Sequence, residues 1–71
     1  MKQLTPAHIR VVRLLAKGMK VDTIAQCLGT SANTIRAHKT EIYRRLGVRN
    51  ASAAVATAIF EGYITKENAN G

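Results

Sequence analysis

The chain has 71 residues, with 11 Lys and Arg against 4 Asp and Glu, for a formal charge of +7. That length holds one domain, residues 1–71, and excludes a catalytic domain joined to a separate sensor domain. Val, Ile, Leu and Phe supply 17 residues, above the roughly 20% expected of a chain that stays unfolded, while the excess of positive charge calls for an anionic partner such as nucleic acid, a membrane surface or an acidic protein.

The punctuation of the chain predicts four helices. Thr5 is a good N-cap, and Pro6 suits the first helical position, where its missing N–H would have no partner in any case. Leu4 and Ile9 can clasp the cap from either side. Apolar residues recur at Ile9, Val12, Leu15 and Ala16, with Val11 and Leu14 beside them. Gly18 can take a left-handed cap with Met19 folding back, so the first helix is expected over 6–17. A second is expected over 21–28, with Ile24, Ala25 and Leu28 inward and Gly29 as its stop. Ser31 caps a third over 32–46, stopped by Gly47. Asn50 caps a fourth over 51–61, stopped by Gly62. The polar tail, 65–71, is expected to be disordered.

The second and third helices form a pair joined through Gly29. Ala25 is small where the two must approach, Gly29 can adopt a positive φ in the turn, and Ile35, ten residues after Ala25, points back into the core. A small residue, a turn glycine and a buried β-branched residue at this spacing form a helix-turn-helix signature. The fold class is therefore all-α, a four-helix helix-turn-helix domain.

At 100° per residue, Ile42 and Leu46 fall within about 20° of Ile35 and define the core face of the third helix. Asn33, Ala37, Thr40 and Arg44 fall on the opposite face and Arg36 at its edge. From Asn33 to Arg49 this region carries Arg36, Lys39, Arg44, Arg45 and Arg49 against Glu41. Such a face suits the major groove of B-DNA, which admits one helix. Arg36 can donate two hydrogen bonds to a guanine edge, the Ala37 methyl can touch a thymine methyl, and Thr40 can bond a base or a phosphate. Tyr43 lies beside this face, where packing and a phosphate hydrogen bond are equal alternatives. A basic outer face can also be merely solvated, but here it follows the helix-turn-helix spacing in a chain that is basic throughout.

At this point a resemblance emerges. Leu4-Thr5-Pro6, Leu14-Leu15-Ala16-Lys17-Gly18-Met19 and Ile24-Ala25-Gln26-Cys27-Leu28 are followed by Ser31, Thr34-Ile35, His38, Ile42 and Leu46-Gly47-Val48. Over about residues 4 to 58, without a gap, the chain resembles the LuxR-type helix-turn-helix domain of bacterial transcription regulators. The resemblance implies a four-helix domain that binds double-stranded DNA as a dimer, with the third helix reading bases and the fourth often forming the dimer contact. It places base contacts at Arg36, Ala37 and Thr40. It places backbone contacts at Lys20, Thr34, His38, Lys39 and Arg45; Asn33 and Arg44 are added by their place on the outer face and Arg49 as part of the basic run.

The chain departs from the family pattern at three positions, two of which carry expectations. Glu usually stands where this chain has His8; it would complete a capping box with Thr5, which histidine does poorly, so the first helix is expected to fray or to be braced otherwise. Lys20 replaces a small polar cap and opposes the helix dipole, a conflict that a nearby phosphate would remove. Ala51 stands where Arg is common. The sensor domain that normally precedes the module is absent from these 71 residues; Met1 and the polar tail suit a complete small protein, although a piece of a longer chain is the alternative.

The fourth helix has no charge from Ala51 to Phe60. Ala54, Val55 and Ala58 can face the core, which leaves Ala53, Ala56, Thr57 and Phe60 for a homodimer interface. His8 is expected on the surface, His38 on the flank near the DNA backbone, and Cys27 packed as a small hydrophobe. A lone cysteine offers no disulfide or metal spacing, neither histidine has a carboxylate placed to orient it, and no constellation suggests an enzyme, a metal or a cofactor. No run approaches the roughly 18 apolar residues that span a bilayer, and no secretory segment opens the chain. The expected location is the bacterial cytoplasm or nucleoid, without a membrane partner. The expected function is a transcription regulator acting as a homodimer on an inverted-repeat operator. The alternative is an interaction protein that pairs through the fourth helix with a larger LuxR-type regulator; RNA polymerase is a further possible partner.

Overall fold

A computed structural model describes residues 3–65. Four helices follow one another: α1 (Pro6–Ala16), α2 (Val21–Leu28), α3 (Ala32–Leu46) and α4 (Ala51–Phe60). The expected architecture is thus the observed one, with α1 and α4 each ending one residue early. Residues 66–71 of the expected disordered tail lie outside the described residues.

The caps show why the boundaries fall where they do. Thr5 Oγ1 accepts from the His8 N–H at 3.2 Å, Ser31 Oγ from the Thr34 N–H at 3.1 Å, and Asn50 Oδ1 from the Ala53 N–H at 2.8 Å. Each satisfies an amide that the first turn would otherwise leave unpaired. Lys20 caps α2 without a side-chain hydrogen bond, and Asp22 supplies the only acid in that first turn, where a carboxylate offsets the positive end of the dipole. Gly29 ends α2 in the left-handed region (φ +68°), and the Thr30 N–H reaches back to the Ala25 carbonyl at 2.9 Å. The reversal into α3 then takes only Gly29 to Ser31. A β-branched residue at Gly29 would be strained in that conformation.

One expectation about α1 is overturned. The His8 side chain completes the capping box, with Nδ1 accepting from the Thr5 N–H at 3.2 Å. A neutral imidazole carries one lone-pair nitrogen, and here it occupies the place of a glutamate oxygen. His8 is also buried rather than on the surface, at 6% exposure.

The core is centred on Val11, Val12, Ile24, Ile35, Ile42, Ala54 and Ala58, all fully buried, with Leu4, Ala25 and Ile64 around them. Ile9, Leu15 and Ala16 are only partly buried. Because α1 packs against α2, α3 and α4, its buried stripe is centred on the adjacent pair Val11 and Val12. Beyond α4 the Tyr63 N–H bonds the Ala58 carbonyl at 2.8 Å, which folds Ile64 into the core. The Leu4 N–H donates to the Tyr63 hydroxyl at 3.4 Å. The segments before α1 and after α4 therefore close on each other.

Candidate nucleic-acid interface

Ile35 and Ile42 bury one face of α3 completely, so the opposite face is held outward. Asn33, Arg36, Ala37, Thr40 and Arg44 are all exposed there. The three residues expected to touch bases, Arg36, Ala37 and Thr40, thus share one open surface with no bulky apolar side chain between them. Arg36 Nη1 donates to Asn33 Oδ1 at 3.0 Å. The Thr40 hydroxyl donates to the Arg36 carbonyl at 3.1 Å. Arg36, Lys39, Thr40 and Tyr43 line a shallow recess along this face. Tyr43 is partly buried, which pushes its phenol pKa up and keeps the hydroxyl protonated as a donor.

The other expected backbone contacts divide by environment. Lys20 and Arg49 are exposed at the start of α2 and in the turn before α4, and Lys39 is half-buried. The Thr34 hydroxyl shares a hydrogen bond with Ser31 Oγ at 2.9 Å. His38 is half-buried, and its ring meets the edge of His8 with centroids 5.3 Å apart and planes at 77°.

Arg44 and Arg45 are not free cations. Both form salt bridges with Glu41, and Arg45 Nη1 also donates to the Gln3 carbonyl. Hydrogen bonds from Arg44 and then Arg45 hold the Glu41 carboxyl at about 2, far below its usual range. The same bond raises the Arg44 pKa. In the charge balance of the third helix Glu41 is one negative charge; in the structure it engages two of the cations. Its place three residues before Arg44 and four before Arg45 was the available signal, since such pairs meet on a helix surface. Arg36 and Lys39 remain the α3 cations directed to the open face without an acidic partner among the described residues.

The residues assigned to a dimer contact do not share one exposure. Phe60 is 88% exposed and Ala56 is exposed, while Ala53 and Thr57 are half-buried. Val55, expected in the core with Ala54 and Ala58, is half-buried instead. It lines an apolar groove with Leu15, Ala16, Ala56 and Ile59 between α1 and α4. Cys27, expected to be packed, is exposed. Ile24 and Ala25 occupy the buried side of a two-turn helix, and Cys27 falls beyond it. No group of His, Cys, Asp and Glu able to hold a metal occurs among the described residues, and no described helix is long and apolar enough to cross a membrane.

Comparison with known proteins agrees with this geometry. The family described as bacterial regulatory proteins, luxR family, matches residues 2–58. Transcriptional regulatory protein YdfI of Bacillus subtilis is 38% identical over 66 residues, covering 93% of this chain and 31% of that protein. Transcriptional regulatory protein UhpA of Escherichia coli is 37% identical over 60 residues, covering 84% of this chain and 30% of that protein. The chain therefore spans about a third of the length of these curated relatives. No solved structure matches.

Proposed function

Since the chain belongs to the luxR family of bacterial regulatory proteins, we infer that it binds double-stranded DNA with sequence specificity and regulates transcription. The observation that carries this reading is the outward face of α3. Arg36, Ala37 and Thr40 stand exposed together on a helix whose other face is locked by Ile35 and Ile42. A helix of this kind docks in the major groove, where base edges differ in their donors, acceptors and methyl groups. Lys20, Lys39, Arg49 and the Thr34 hydroxyl lie around it to hold phosphates, contacts that position the protein without reading sequence.

The protein acts as a homodimer through α4, with Phe60 and Ala56 at the contact. A Phe side chain this open to water stabilises association when covered. Two-fold symmetry then places two copies of α3 on half-sites about one turn, roughly 10 bp, apart. The location is the bacterial cytoplasm or nucleoid, with RNA polymerase as a downstream partner. The same exposed Phe60 favours a second reading, pairing through α4 with a larger regulator of the family.

The test is selection of bound duplexes from a random pool. Affinity for the winner and for a scrambled control is then measured at about 50 and 200 mM salt. An enriched inverted repeat with a ratio above about 10³ is the expected result. Weak and steeply salt-dependent binding to every duplex would reduce the basic face to an electrostatic surface and move the pairing reading forward.

A further inference from the structure

We propose that Asn33 is the positioning residue for Arg36: its carboxamide holds the guanidinium in the orientation that reads a guanine, so discrimination at that base depends on a side chain that need not touch DNA. This rests on the reading of α3 as the recognition helix.

The geometry that carries it is the 3.0 Å bond from Arg36 Nη1 to Asn33 Oδ1. An arginine is a long chain with many rotamers, and freezing it on binding costs affinity unless the free protein already holds the bound arrangement. Guanine offers two acceptors, O6 and N7, in one plane. A guanidinium meets both only when a two-donor edge lies in that plane. The bond to Asn33 uses Nη1 and leaves the edge formed by Nε and Nη2 for the base. The Thr40 hydroxyl bonds only the Arg36 backbone carbonyl, at 3.1 Å, and does not hold the side chain. On its far side the Arg36 stem borders the recess shared with Lys39, Thr40 and Tyr43. Asn33 therefore supplies the hydrogen bond that fixes where the charged head lies.

The position of Asn33 in the chain separates this role from a structural one. It is the second residue of α3, is exposed, and takes no part in the cap, which is made by Ser31 and the Thr34 N–H. Alanine is a better helix former than asparagine. Asn33→Ala should therefore leave α3 at least as stable, and a loss of guanine discrimination in that variant has no explanation in unfolding.

The experiment measures affinity of the full chain for the selected duplex and for duplexes in which each base of the half-site is changed in turn. Asn33→Ala should lower the preference for guanine at the Arg36 position by about threefold to tenfold, the scale of one immobilised flexible side chain. Preferences at the other positions should hold. Asn33→Asp, which still accepts from Arg36, should restore the guanine preference while weakening binding to all duplexes, because its charge repels phosphate. An equal fall on every duplex with Asn33→Ala would make Asn33 a phosphate contact and overturn the proposal, as would no change at all. Arg36→Ala is the control for the underlying reading. If that variant keeps the guanine preference, α3 reads its site without Arg36, and the failure belongs to the recognition assignment. If Arg36→Ala abolishes the preference and Asn33→Ala does not affect it, only the positioning role fails.

Discussion

Thr5 and His8 hold each other's backbone N–H groups, each at 3.2 Å, and so close the first turn of α1. The bond from Thr5 to Nδ1 exists only while that nitrogen keeps its lone pair. Burial first, then the charge of Arg45 and the nearby His38, lower the His8 pKa below its ordinary 6.5, with Glu41 acting in the opposite direction. The folded state thus favours neutral His8. Below pH 6.5 the unfolded chain binds more protons at this site, so the contribution is complete above that pH and is lost as pH falls toward the lower folded value. Between pH 7.5 and 5.5 the melting temperature should drop by several degrees, the scale of an N-cap worth about 1 kcal/mol in a domain of this size. His8→Glu, ionised at both values, should remove most of that dependence. Equal drops in the two proteins would place the pH sensitivity elsewhere. Glu41 is no rival source, since its contribution is lost only as pH falls from the ordinary 4.5 toward its folded value of about 2, below this window.

Glu41 restrains two cations that would otherwise be free to meet phosphate. Glu41→Gln should raise affinity for every duplex by a similar factor and steepen the dependence of log K on log salt by up to about one, as one more phosphate is neutralised. Base preferences should stay unchanged. Titrations at several salt concentrations give the slope, and an unaltered slope would show that the freed Arg44 and Arg45 do not reach DNA.

The Thr40 hydroxyl proton is committed to the Arg36 carbonyl, so toward the groove its oxygen is an acceptor. It should favour a base with an exocyclic amino group, adenine or cytosine. Thr40→Val keeps the shape and removes the oxygen. The expected result is loss of about 1–3 kcal/mol of discrimination at one position, read from the single-base duplex series. A uniform loss would assign Thr40 to the backbone.

Phe60 contributes almost nothing to the monomer core at 88% exposure. Phe60→Glu should leave the thermal stability of a dilute sample nearly unchanged and shift sedimentation at high micromolar concentration from dimer to monomer. It should also reduce affinity for the inverted repeat far more than for a single half-site. A wild-type protein that sediments only as monomer at that concentration would count against the α4 dimer.

Wherever a single residue type imposed a local backbone requirement, the structure was legible in advance. Thr5, Ser31 and Asn50 marked helix starts because few side chains satisfy an open amide. Gly29 and Gly47 marked helix ends because few residues accept positive φ. The outward face of α3 followed from Ile35 and Ile42 by periodicity alone. Features that depend on two chemistries competing for one atom were harder to read. Histidine is a poorer box partner than glutamate, because it accepts only when neutral, yet here burial lowers its pKa and favours that accepting form. Arg44 and Arg45 read as DNA contacts by position, while Glu41 lies within reach of both. Spacing along their helices allows Val55 to face the core and Cys27 to pack, but burial depends on what lies opposite, and Val55 is half-buried and Cys27 exposed.

The core of α3 and its outer surface use different side chains of one rigid rod. Ile35 and Ile42 are fully buried, while Arg36, Ala37 and Thr40 are exposed and lie outside the core. On the proposed reading of this face, the residues that choose a DNA sequence and those that hold the fold are different side chains. Exchanging the three outer residues should then change the preferred sequence at little cost to the core.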